Sequence, residues 1–151
     1  FLVFDKALTM PLTVAKQTTD VHSNVLFQYV CDTYMNQYDF AAHLEQSRKI
    51  YRAKCQLMLD TMRRTFHPAV QFGQPEGGLF VMAFLPDGMD AQPFVREAIK
   101  RGVLCVPGSA FLADESKVSN GFRLNYSTPT DEQIVRGIEI LGKLTHEWIK
   151  E

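Results

Sequence analysis

Arg123 is the residue of this 151-residue chain best suited to gripping a ligand. It lies in Gly121-Phe122-Arg123-Leu124-Asn125-Tyr126-Ser127, where apolar and polar side chains alternate. A period of two puts Phe122, Leu124 and Tyr126 on one face of a strand, and Arg123, Asn125 and Ser127 on the other. A guanidinium on a rigid strand, with small polar neighbours and no acid beside it in sequence, suits a carboxylate brought from elsewhere. Its planar fork can hold that group through two parallel hydrogen bonds. The alternation alone is also met by a surface arginine or by half of a structural ion pair, and those are the commoner cases.

The other chemistry-bearing side chains are scattered. His22, His43, His67 and His146 show no ligand spacing with one another or with Cys31, Cys55 and Cys105, so no metal site is expected. An odd number of distant cysteines in apolar surroundings fits free thiols in a reducing cytoplasm. Charged residues make up 22% of the chain and the net charge is −1, with no basic run, which argues against a nucleic-acid or acidic-membrane partner. No stretch approaches the ~18 apolar residues of a membrane span.

Positioning Arg123 requires a sheet and helices to cover it. Residues from about Thr19 to Phe66 read as helical in two pieces: one through Val25, Leu26, Tyr29 and Val30, and a longer one capped by Asp39. The second piece carries the apolar stripe Leu44, Ile50, Tyr51, Leu57, Met58, Met62 and Phe66, with Arg and Lys on its other side and His67-Pro68 at its end. Short strands are expected at Val70-Gln71-Phe72, at Leu79 to Leu85, at Val103-Leu104-Cys105-Val106 and around Arg123. Asp90 caps a short helix that closes on a left-handed Gly102. Thr128-Pro129-Thr130-Asp131 reads as a capping box with proline at the first helical position, opening a helix with Ile134, Ile138, Leu141, Leu144 and Trp148 on one face. The order α-α-β-β-α-β-β-α describes an α+β, two-layer fold: a small mixed or antiparallel sheet covered by helices.

Three motifs in this order narrow the field: Pro75-Glu76-Gly77-Gly78-Leu79-Phe80, the segment from Gly102 through Pro107-Gly108-Ser109-Ala110-Phe111, and Phe122-Arg123-Leu124-Asn125-Tyr126-Ser127. Together they resemble the C-terminal small domain of class I/II, fold-type I aminotransferases that depend on pyridoxal 5′-phosphate. Upstream, Ala15-Lys16-Gln17-Thr18-Thr19-Asp20-Val21-His22-Ser23-Asn24, with Tyr38-Asp39 and His43-Leu44, is similar to the 2-aminoadipate and aromatic (kynurenine-type) branch. The resemblance implies that Arg123 binds the substrate α-carboxylate. It offers two weaker site residues: Phe80, facing the substrate side chain or packed in the core, and Asn125, orienting Arg123 or meeting solvent. Phe111 reads as a core residue.

The resemblance also implies a lysine that forms a Schiff base with the cofactor, which requires a sheltered amine able to lose its proton. Lys6, Lys16, Lys49, Lys54, Lys100, Lys117, Lys143 and Lys150 all lack the serine-rich context of that lysine. The chain opens on Phe1-Leu2-Val3-Phe4 with an apolar run under way and no charged leader, and so reads as cut from something larger. Residues 1–18 are expected to trail from a large cofactor-binding domain and residues 19–151 to form the small domain. The fragment is expected to be inactive alone and to hold no cofactor. The longer protein is expected to be a cytoplasmic homodimer acting on amino acids and 2-oxo acids. Two rivals stand beside this reading: the aminotransferase-like effector domain of a GntR-type transcription regulator, and a ferredoxin-like module that binds small molecules or RNA.

Overall fold

Phe122 has no exposed surface and lies between two other aromatic rings, with centroids 6.4 Å from Phe66 and 5.1 Å from Phe94. Those three rings come from a strand, a helix and the residue that follows another helix, and they mark the centre of the core. The computed structural model describes residues 3–114 and 116–150. Phe1-Leu2 of the apolar start, and Glu115, lie outside them.

The helices are α1 (Thr9–Thr19), α2 (Val25–Gln37), α3 (Phe40–Thr65), α4 (Ala91–Lys100) and α5 (Asp131–Trp148). The strands are β1 (Gln71–Phe72), β2 (Phe80–Phe84), β3 (Val106–Pro107) and β4 (Gly121–Asn125). All strand pairs are antiparallel, in the order β1-β2-β4-β3, so the fold is α+β with an antiparallel sheet. By residue contact the chain divides into two units, Phe1–Glu45 and Gln46–Glu151.

Within the second unit, alternation along the strands separates two sheet faces. Val81, Ala83, Phe122 and Leu124 point into the core, where Met58, Leu59, Met62 and Phe66 of α3 and its end, Phe94, Val95 and Ala98 of α4, and Ile134, Ile138, Leu141 and Leu144 of α5 meet them. Each of these side chains removes apolar surface from water, worth roughly 1.5–3 kcal/mol apiece for the larger ones. The α5–α3 crossing is close: a β-carbon on Gly142 would lie 2.6 Å from the Thr65 carbonyl oxygen, so only glycine fits there.

Capping explains most helix starts. Asp39 accepts from the Ala42 N–H (2.9 Å) and Asp90 from the Gln92 N–H (2.9 Å), as their positions in the sequence predict. Gly102 ends α4 in the left-handed region at φ 83°. The cap of α5 falls two residues later than the sequence suggests, at Thr130. Its hydroxyl accepts from the Gln133 N–H while the Gln133 side chain accepts from the Thr130 N–H. The Thr128 N–H is already donated to the Asn125 side chain, so Thr128 and Pro129 belong to the preceding turn.

Three further expectations change. Helix α1 forms where only a lead-in segment is expected. The buried strand expected at 103–106 shrinks to Val106–Pro107, because Val103 N–H still bonds the Ala98 carbonyl of α4 (2.9 Å) and Leu104 is 83% exposed. On α3, Leu59 is buried while Ile50 is exposed.

The first unit is built differently. Asn24 caps α2 through the Phe27 N–H (3.2 Å), and the Tyr34 ring meets those of Tyr38, Phe40 and His43 where α2 gives way to α3. None of its described residues is buried, and Val25, Leu26, Phe27, Tyr29 and Val30 of α2 are exposed.

Candidate functional site

The face of the sheet opposite α3, α4 and α5 carries Arg123. The register pairs Arg123 with Met82 of β2 on one side and Val106 of β3 on the other, so the arginine stands on an inner strand anchored along both edges. Two positions along, Phe80 pairs with Asn125, and both side chains emerge on Arg123's face.

The guanidinium is held by rings. Its Cζ lies 4.0 Å from the Phe80 centroid and 4.5 Å from the Phe111 centroid, both within cation–π range. Phe80 is 39% and Phe111 50% exposed, so neither is the core residue that its apolar neighbours suggest. Phe111 arrives from a 3-10 turn, Gly108–Phe111, directly after β3. That turn can press against β4 because residue 108 lacks a side chain: a β-carbon there would lie 2.8 Å from the Gly121 carbonyl oxygen.

Among the described residues no carboxylate pairs with Arg123, although the side chain is half-buried on an apolar face. A cation drawn partly out of water gains strongly from an anionic partner. The described residues leave that place at Arg123 unfilled.

Asn125 takes a different part from orienting Arg123. Its Oδ1 accepts from the Ser127 N–H (2.9 Å), the Ser127 hydroxyl (3.1 Å) and the Thr128 N–H (3.1 Å), fixing the turn into α5. Its Nδ2 has no partner among the described residues and shares the open face with Arg123.

The paired glycines are tied to the same strand. Gly78 adopts φ 86°, a left-handed conformation that glycine takes without a side-chain clash. Its carbonyl accepts a 2.6 Å bond from the Tyr126 hydroxyl, and the Leu79 carbonyl accepts from the Tyr126 N–H (3.2 Å). Burial holds the Tyr126 hydroxyl above its ordinary range, with the neighbouring Cys55 thiol adding to the shift. The turn that launches Phe80 is thus fixed by the residue that follows β4.

The chain's lysines do not fit the cofactor role that the resemblance implies. Seven of the eight are exposed. Lys54, half-buried, donates to the Pro129 carbonyl and lies 3.5 Å from Asp131, which makes it a brace for the start of α5. Among the described residues no group of three or more His, Cys, Asp or Glu side chains is placed to hold a metal ion, and no helix is long and apolar enough to cross a membrane. Phe111 is the site residue that sequence reasoning misplaces, since a 3-10 turn has no periodic relation to the strand it touches.

The family model for aminotransferase class I and II matches residues 8–141. The chain is 32% identical to aromatic-amino-acid aminotransferase 1 of Thermococcus litoralis, over 93% of this chain and 33% of that protein. The structure of the kynurenine aminotransferase of Pyrococcus horikoshii superposes with a TM-score of 0.83 at 34% identity, covering 97% of this chain and 36% of that one. The α-aminoadipate aminotransferase of Thermus thermophilus, solved with N-(5′-phosphopyridoxyl)-L-leucine, gives 0.79 at 34% identity over 96% of this chain and 37% of that one. The chain spans about a third of the length of the curated relatives it matches. On the family match and these identities together, the chain belongs to the aminotransferase class I and II family.

Proposed function

We propose that this chain is the substrate-clamping part of a longer, pyridoxal 5′-phosphate-dependent aminotransferase, with Arg123 binding the α-carboxylate of an amino acid or 2-oxo acid. The observation that carries this reading is a half-buried guanidinium on an inner strand, faced by two rings and lacking any acidic partner among the described residues. Residues 1–18 trail from the cofactor-binding domain, and residues 19–151 form the small domain.

The cofactor supplies the electron sink for amino-group exchange, and its attachment lies outside this chain, whose lysines are exposed or structurally engaged. This chain's residues bind and orient. Arg123 fixes the substrate by its carboxylate, and Asn125 offers its free amide group beside it. Closing this face over the substrate excludes water and aligns the bond to be broken. A charge-assisted pair strengthens as the dielectric falls, so the clamp tightens with closure. The fragment alone is inactive and binds no cofactor; the complete protein is a cytoplasmic homodimer.

The test uses the full-length protein, assayed for amino-group transfer from a panel of amino acids to 2-oxoglutarate. Transfer is expected for wild type. Arg123→Ala is expected to lower kcat/KM about 10- to 100-fold, the range of hydrogen bonds to charged groups. Absence of transfer from every amino acid overturns the aminotransferase assignment, and unchanged kinetics in Arg123→Ala overturn the clamp.

A further inference from the structure

The two rings on Arg123 have a consequence for how that side chain works. Phe80 reaches the guanidinium at 4.0 Å from the end of β2 nearest the paired glycines, and Phe111 reaches it at 4.5 Å from the 3-10 turn after β3. They come from separate elements flanking β4 on its two sides. A guanidinium has two π faces and a rim of N–H donors. Rings cover faces through the quadrupole and leave the in-plane donors free, because those donors lie at the edge. An unrestrained arginine has several rotatable bonds and would lose that freedom on gripping a ligand. Held by two rings, it has lost much of it beforehand.

Exposure distinguishes this arrangement from ordinary core packing. Phe80 and Phe111 both retain a substantial part of their surface in solvent, and neither belongs to the buried cluster. Their contact with Arg123 is therefore not a by-product of filling the core. Gly108 serves the same end, because the approach of its turn to Gly121 brings Phe111 within reach.

We infer that Phe80 and Phe111 are positioning residues that hold the Arg123 guanidinium with its donor rim turned outward for a carboxylate. The inference rests on the reading of Arg123 as the clamp. It makes the two rings determinants of carboxylate recognition rather than of the substrate's side chain.

Leucine and tyrosine separate the roles. Leucine keeps apolar bulk and removes the π face, whereas tyrosine keeps it. The full-length protein is assayed with each α-amino acid that the wild type uses and with the primary amine lacking only its carboxylate. Phe111→Leu and Phe80→Leu are each expected to raise KM for the amino acids about fivefold with a smaller change in kcat, and together more than about tenfold, as cation–π contacts of this kind imply. KM for the amines is expected to stay at its wild-type value in the leucine variants, and the amino-acid KM is expected to stay near wild type in Phe111→Tyr.

A readout independent of turnover comes from the 151-residue chain. The Arg123 Nε–H resonance is expected to carry a ring-current shift that falls in each leucine variant, while thermal melting stays near wild type because both rings are exposed. Amino-acid kinetics unchanged in the double leucine variant, or equal losses for amino acid and amine, would overturn the positioning role while Arg123→Ala still impairs catalysis. If Arg123→Ala is itself silent, the clamp reading fails first.

Discussion

The Tyr126 hydroxyl donates a 2.6 Å hydrogen bond to the Gly78 carbonyl, joining the end of the Arg123 strand to the turn that launches Phe80. Two parts of the sheet's open face are thereby fixed to one another through a single buried ring. Tyr126→Phe removes the donor and leaves the ring. A loss of about 1 kcal/mol is expected in urea unfolding, the usual net value of one such bond. In the full-length protein the same variant is expected to raise KM for amino acids by loosening Phe80. Unchanged stability would show that water satisfies Gly78 equally well.

Gly142 lies against the last turn of α3, and its missing side chain sets that crossing. Gly142→Ala places a methyl group 2.6 Å from the Thr65 carbonyl oxygen, a backbone atom that moves only with its helix. Overpacking of this kind costs about 1–3 kcal/mol. Thermal melting is expected to show the loss, against a small gain for alanine at an exposed helical glycine.

The three thiols are expected to react in the order Cys31, Cys55, Cys105 with a small alkylating reagent, following their exposed, half-buried and buried positions. Burial pushes the Cys105 thiol from 9.0 up to about 12. An unfolded chain releases this proton near 9.0 while the folded one keeps it, so stability is intact below that pH and declines as pH rises toward about 12. Burial raises Cys55 and Tyr126 as well, which adds to the same alkaline slope. Urea unfolding at pH 8 and pH 10.5 measures it, and Cys105→Ala is expected to reduce the slope without abolishing it.

At the acid end the relevant pair is Arg101 and Glu147, bonded end-on through Nη1 and Nη2 at 2.8 and 2.7 Å between the end of α4 and the last turn of α5. These bonds hold the Glu147 carboxyl below its ordinary 4.5; Lys100, and then Arg101, do the same for Glu97. Both carboxyls are depressed in the folded chain, so their contribution is present above about pH 4.5 and fades as pH falls through the folded values. Glu147→Gln is expected to flatten the stability profile between pH 5 and pH 3, with less effect in 1 M salt, because the pair is exposed and screened. Identical acid profiles for variant and wild type would remove the pair from the account.

Arg123's face and its alternation were legible because strands obey a period of two that side chains display directly. The caps at Asp39 and Asp90 were legible for a similar reason, since a short polar side chain before an apolar stripe has one structural use. Helix α1 was hidden by its threonines, β-branched residues of low helix propensity that in the fold return hydroxyl bonds to their own backbone, as Thr13 does to Thr9 (2.7 Å). Leu104 and Val103 read as strand because composition cannot tell a buried apolar residue from one left in solvent at a turn. Phe111 read as core for the same reason, and Phe80 as core or substrate contact, yet each meets a cation that lies on another element.

The outer strands β1 and β3 are two residues long apiece. Pro107 occupies half of β3 and has no N–H to offer. An intruding chain would therefore find almost no ladder to extend on either edge. Edge-to-edge aggregation therefore finds little template at either margin, while Arg123 stands on the broad face between them, opposite α3, α4 and α5.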